Sequence, residues 1–220
     1  MRRAVFLRAA SALALCLTSP ERTLPALAAE PEPAAALKLF ELCSSRRPGS
    51  WTADERAAVD ALVDEVVALR RPWDKKMARG KWRLAYLQPG LGARQQTLDL
   101  PFNEQYQIIG GGELINVAEL LGSLLEVRAA GSWREDNAAD LSSPKRFRAD
   151  ITQGALCGSV TMGSVAKANI GRACVPLPLR GETYRVFDAQ YVGSRIRIGQ
   201  DLNSGGSRIV QVRVDGFSGR

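Results

Sequence analysis

Apolar and polar positions alternate most regularly near the C-terminus, over "YVGSRIRIGQDLNSGGSRIVQVRV" (residues 191–214). A Gly-rich break divides the stretch, which predicts a β-hairpin. The same period of two runs back to residue 80. "KWRLAYL" sets Trp82, Leu84 and Tyr86 on one face. "KRFRADIT" sets Phe147, Ala149 and Ile151 opposite Arg146, Arg148 and Asp150. "QYQIIGGGELINVAEL" predicts two strands about Gly110, Gly111 and Gly112, and "LLEVRAAGSWRED" a further one. Many short antiparallel strands, each with one apolar side, predict a barrel or sandwich that encloses a single interior. The segments 89–96 and 153–181 predict loops.

Upstream of residue 72 the period is helical. Residues 34–50 predict a short helix, with Leu37, Phe40 and Leu42 on its apolar side, ending in an Arg-Arg-Pro-Gly turn. "TADE" starts a second helix: Thr52 is a natural N-cap, and Glu55, three residues on, completes a capping box. Val59, Leu62, Val63, Val66 and Val67 then recur on one face. The helix is expected to stop at Arg70 and Arg71, before Pro72. The fold class predicted is therefore mainly β with N-terminal helices.

Composition sharpens this only in places. The formal charge of the 220-residue chain is +7. Part of that excess sits at the start, where Arg2, Arg3, Arg8 and Arg22 face Glu21 alone. The rest of the chain is mildly basic, which suits an anionic surface such as a lipid headgroup layer and gives no case for nucleic acid. The chain has no histidine, so His-based triads and imidazole-bound zinc are excluded. No CxxC pair is present, and no cofactor or metal site is predicted. Cys157 and Cys174 flank one segment, and the sequence leaves open a disulfide between neighbouring strands or two separate thiols.

Residues 1–29 have the layout of a targeting segment: a basic start, the apolar run from Ala9 to Thr18, and small residues at Ala26-Leu27-Ala28. Cleavage is expected near Ala28 or Ala29. Arg2 and Arg3 with Phe6 and Leu7 resemble a twin-arginine signal, and an Arg-rich transit peptide fits equally. The folded domain is then 30–220, with helices over 34–71 and the β region over 80–215.

The ordered set of elements resembles the plastid lipid-associated protein family, also called plastid fibrillins. "SSRRPGSWTADERAAVDALVDEVVALRRPWDKKMARGKWRLAYL" resembles the family's opening, with Gly80, Trp82, Leu84 and Tyr86 at its Gly-x-Trp-x-Leu-x-Tyr strand. "YQIIGGGELINV" is similar to the next strand pair, with Asn116 at the family's Asn. Tyr191, Arg197, Ile198 and Gly199 match the C-terminal signature Tyr-Leu-Asp-Glu-Asp-Leu-Arg-Ile-Gly-Arg-Gly. Gly193, Ser194 and Arg195 replace its acidic group, and Gln200 and Asp201 its final Arg-Gly, so any role of those carboxylates does not carry over. The resemblance implies a lipocalin-like antiparallel β-barrel of plastids, associated with plastoglobules or thylakoids, on the stromal or the lumenal side.

A small closed barrel holds one apolar ligand among inward side chains. The candidate pocket is Trp82, Leu84, Tyr86, Tyr106, Ile108, Ile115, Val117, Phe147 and Ile151, for an apolar lipid, quinone or carotenoid. Arg197 is expected to stack on the Trp82 indole as a structural clamp, with the two strands neighbours in the sheet and Arg195, Arg208 and Arg213 pointing outward. The function expected is a non-catalytic lipid- or isoprenoid-binding protein of plastid membranes. The alternative is an adaptor that stabilises an isoprenoid (plastoquinone) biosynthesis enzyme, through the exposed face of helix 52–71 and the 153–181 segment. A catalytic role would have to use Asp99 and Glu104, or Glu135, Asp136 and Asp140, and loop acids of this kind are ordinarily solvated.

Overall fold

The helices come first in the chain. A computed structural model describes residues 31–90, 104–120, 124–136, 140–159, 172–179, 183–203 and 205–214. The leader expected over 1–29, and most of the loop expected over 89–96, lie outside these residues. Glu32–Arg220 form one compact unit.

Helix α1 (Ala34–Ser44) buries Ala36, Leu39 and Cys43, while Leu42 is exposed, so the apolar side lies one position away from that expected. Helix α2 (Ala53–Ala68) has the anticipated capping box: the Glu55 amide donates to Thr52 Oγ1, and the Thr52 amide donates to Glu55 Oε2. Val59, Leu62, Val63 and Val66 form its buried face. The last carbonyls of α1 have no partner within the helix. Arg83 supplies one from the first strand, donating to the carbonyls of Cys43, Ser44 and Arg46. A short third helix, α3 (Lys75–Ala78), is capped by Asp74.

Nine strands follow among the described residues: β1 (Gly80–Gln88), β2 (Glu104–Ile109), β3 (Glu113–Glu119), β4 (Leu125–Glu135), β5 (Lys145–Ser159), β6 (Arg172–Leu177), β7 (Tyr184–Val192), β8 (Ile196–Asp201) and β9 (Ser207–Arg213). They form one antiparallel sheet in the order β4-β3-β2-β1-β9-β8-β7-β5-β6. A further pairing of β4 with β5 joins the two flanks, so eight strands close into a ring and β6 lies outside it. Strand β5 makes this possible by its length. Its first half pairs with β7, its second half with β6, and β4 runs along its other edge.

Two of these strands fall where loops were expected. Residues 153–159 continue β5, and 172–177 form β6. Gly154, Gly158 and Pro176 weaken the strand signal there. Proline is tolerated because β6 is at an edge, where a missing N–H breaks no ladder. Cys157 faces Cys174 across this pair, and the two form a disulfide.

The ring has two faces. On the outer face of β1, β9, β8 and β7, residues Tyr86, Tyr191, Ile196, Ile198, Val210 and Val212 pack against α1 and α2. A second cluster holds Ile109, Leu114, Trp133, Phe147, Ala149 and Ala189, with Trp73 and Ala78 from the segment around α3. Trp73 stacks on Phe147 and meets Trp133 edge-on.

Register shifts decide which side chains face which way. Leu84 pairs with Gln211, but Tyr86 pairs with Val210, so a bulge at Ala85 turns Tyr86 to the helix side. A bulge between Ala189 and Tyr191 does the same for Tyr191. A third shift separates Ala130 and Gly131. There the backbones approach so closely that a Cβ on Gly131 would lie 1.9 Å from the Asp150 carbonyl oxygen.

Candidate ligand cavity

Antiparallel partners share a face, so the register identifies the inner wall. Trp82 faces Gln107 on β2 and Arg213 on β9, and Leu84 faces Gln211. Gln107 faces Asn116 on β3, which faces Ala129 on β4. Of these, Leu84, Gln107, Asn116, Ala129 and Gln211 border an open cavity of about 320 Å³. Leu84, Val127, Phe187 and Ile209 give it apolar walls, and Gln105, Gln107, Asn116, Gln211, Arg185 and Asp201 its polar groups. A smaller void of about 50 Å³ is bordered by Trp73, Trp133, Phe147 and Arg197. Gln107, Phe187, Ile209 and Gln211 border both.

Arg197 is the most unusual residue of the site. It is 6% exposed. Its guanidinium carbon lies 4.7 Å from the Trp82 ring centre, and that of Arg213 lies 4.2 Å from the same ring. Arg197 Nε donates to Gln211 Oε1 at 2.8 Å, Nη2 donates to Gln107 Oε1, and Nη1 reaches the Ala78 carbonyl at 3.5 Å. Trp82 Nε1 donates to that same carbonyl at 2.9 Å. No carboxylate pairs with Arg197 among the described residues. Burial, and then the charge of Arg213, push its pKa well below the ordinary arginine value.

The strands carrying Trp82 and Arg197 are not neighbours. β9 lies between them, and Arg197 reaches Trp82 across it. Arg213, expected to point outward, instead turns onto Trp82 and donates to the carbonyls of Met77, Arg79 and Ser194. It is the residue directly opposite Trp82 in the ladder, so it shares the indole's face.

The expected pocket residues divide between the two faces. Trp82 and Leu84 are on the inner wall of β1, and Phe147 and Ile151 belong to the inner aromatic cluster. Tyr86 lies on the outer face. Its hydroxyl donates to Asp60 Oδ1 at 2.7 Å, and burial followed by that hydrogen bond raises its pKa. Tyr106, Ile108, Ile115 and Val117 form one cross-strand set with Lys81 and Arg83, on the face opposite Trp82. Of these four, Tyr106 and Val117 touch the cavity. The inner face of β2 and β3 carries Gln105, Gln107 and Asn116 instead. They sit beside the buried Ile109 and Leu114, while Tyr106, Ile108, Ile115 and Val117 lie on the side that also carries Glu104, Glu113 and Glu119.

No family model, curated protein sequence or solved structure matches this chain.

Among the described residues, no group of His, Cys, Asp and Glu is placed to hold a metal ion, and no helix is long and apolar enough to cross a membrane. The arrangement suits reversible binding. It offers a space with apolar walls, amide groups at fixed positions, and a buried positive charge beside them.

Proposed function

We propose that the protein is a non-catalytic binder of a small lipid or isoprenoid, built as a lipocalin-like β-barrel and acting at plastid membranes or plastoglobules. The observation that supports this best is the cavity of about 320 Å³ bordered by the inner wall of a closed ring. That volume is at the small end of the range typical of ligand sites, roughly 300–1,000 Å³. It suits a quinone head or a short acyl or prenyl chain, whereas a full-length carotenoid exceeds it. The plastid setting rests on the ordered resemblance to the plastid lipid-associated proteins. Extraction of the purified native protein with organic solvent, followed by titration with a quinone and a fatty acyl probe, tests the reading. Saturable binding of one probe at one site per chain is the expected result. A protein that carries no lipid and takes up neither probe would contradict it.

The edge strand favours a second reading, in which the same domain is an adaptor for an isoprenoid-synthesis enzyme. Val175, Leu177 and Leu179 are exposed in or just after β6, and Leu124 is exposed just before β4. An exposed apolar group of this kind suits contact with another surface.

A further inference from the structure

We propose that the cavity selects ligands whose polar end is an oxygen acceptor, a carbonyl or a carboxylate, and that the side-chain amides of Gln211 and Asn116 donate to it. The inference rests on the reading of the ring as a ligand-binding protein.

Arg197 sets the arrangement, because its guanidinium only donates hydrogen bonds. Both glutamines beside it must therefore turn their oxygens toward it. Gln211 Oε1 accepts from Arg197 Nε at 2.8 Å, and Gln107 Oε1 accepts from Nη2. The other amide groups are then fixed in turn. Gln107 Nε2 is left to donate, and it donates to Asn116 Oδ1 at 3.0 Å. Asn116 thereby uses its oxygen, and its Nδ2 is left. Gln211 has likewise used its oxygen, and its Nε2 is left. Neither nitrogen has a partner among the described residues.

Gln211 is only 9% exposed, and both Gln211 and Asn116 border the larger cavity. A buried arginine without a carboxylate thus orients three amides, and two of them end as donors at the wall of a space large enough for a ligand. Its uncompensated charge lies behind these donors and adds to their preference for an acceptor. Asp201 also borders the cavity. Its Oδ1 accepts from the Asn203 amide at 2.9 Å, so part of its acceptor capacity is used within its own turn. Arg185, also at the cavity, adds a further positive charge.

The test is calorimetric titration of the full-length protein with three probes of equal chain length: decanoate, decan-2-one and decylammonium. Decanoate is expected to bind at least about tenfold more tightly than decylammonium, the size of one hydrogen bond to a charged group. Binding of decan-2-one as well would admit neutral carbonyls, and binding of decanoate alone would restrict the head to carboxylates. Either result supports the proposal. Gln211→Glu replaces the donor by an acceptor of the same shape and gives Arg197 a carboxylate partner, so the ring is retained, as thermal unfolding will show. Its decanoate affinity is expected to fall at least about tenfold while decylammonium gains. Asn116→Asp keeps its acceptance from Gln107 and is expected to act in the same direction. Decylammonium binding as tightly as decanoate, or wild-type decanoate affinity in both variants, would overturn the donor assignment and leave the ring a binder of another kind of ligand. No binding of any of the three would overturn both.

Discussion

Trp82 joins β1 to α3 and to the arginines of β8 and β9. It is fully buried, donates to Ala78 at the end of α3, and lies beneath the guanidinium groups of Arg197 and Arg213. Trp82→Ala should cost about 3–5 kcal/mol in chemical denaturation. Combined with Arg197→Met, the loss should fall short of the sum of the two single losses by about 0.5–2 kcal/mol, since the second truncation removes a contact already gone. Additive losses would show that the stacking carries no energy. Cys43 gives a second residue-scale expectation. It is a free thiol with no exposed surface, and burial pushes its pKa up to about 12. The thiol should resist alkylation at pH 8 in the folded protein and react fully in denaturant, and rapid labelling of the native form would contradict its placement. The contact of Trp82 with Arg197 was expected, but between neighbouring strands, whereas β9 separates them and Arg197 reaches across it. The inward turn of Arg213 was not legible, because alternation along one strand does not say which face its neighbour presents.

At the scale of elements, helix starts are written locally in the sequence, and strand phases are not always. Thr52 and Glu55 sit three apart in a pattern that specifies its own geometry, so the cap of α2 was visible locally. Thr52→Ala should lower stability by about 0.5–2 kcal/mol at pH 7. The Glu55 carboxyl is held below its ordinary value of 4.5, first by the Thr52 backbone amide and then by the Thr52 hydroxyl. A depressed carboxylate stabilises above its ordinary value and loses that contribution as pH falls through its folded value. The stability gap between wild type and Glu55→Ala should therefore narrow as pH drops below 4.5, and a gap independent of pH would contradict the capping box. Tyr86 shows why strand phase was harder. One bulged residue, Ala85, turned it away from Trp82 and Leu84, and no residue type in "RLAYL" announces a bulge. Strand β6 was hidden by its proline. Among the described residues it pairs only with β5, and it is tied to it by Cys157–Cys174, which closes a span of 17 residues. Because β6 lies outside the ring, reduction of the disulfide should release 172–177 to hydrogen exchange while β1, β8 and β9 keep their protection. Equal loss of protection across all strands would mean that the ring depends on β6.

Closure is the property of the whole molecule on which the cavity depends. Joining β4 to β5 and β1 to β9 removes the exposed edges of eight strands and leaves β6 as the free one. It also separates two sets of side chains with different work: the outer face meets α1 and α2, and the inner face holds the aromatic cluster, the buried arginine and the open cavity. The sequence could announce a closed or layered sheet, since its strands each had an apolar side. It could not announce that Gln107 and Asn116 line the inner wall as a pair, because they have meaning only beside Arg197, which is brought to them from the far end of the β region. On the function proposed above, this inner cavity, and no outer surface, holds the ligand. The most direct measurement is the titration of a fluorescent apolar probe into wild type and Ala129→Phe. Ala129 borders the cavity from β4, and an aromatic ring is well accommodated in a strand. The added ring should occupy the cavity and lower probe affinity at least about tenfold, the measure of about 1.4 kcal/mol, while the unfolding midpoint stays near that of wild type. Unchanged binding by a folded Ala129→Phe variant would place the ligand elsewhere and contradict the account.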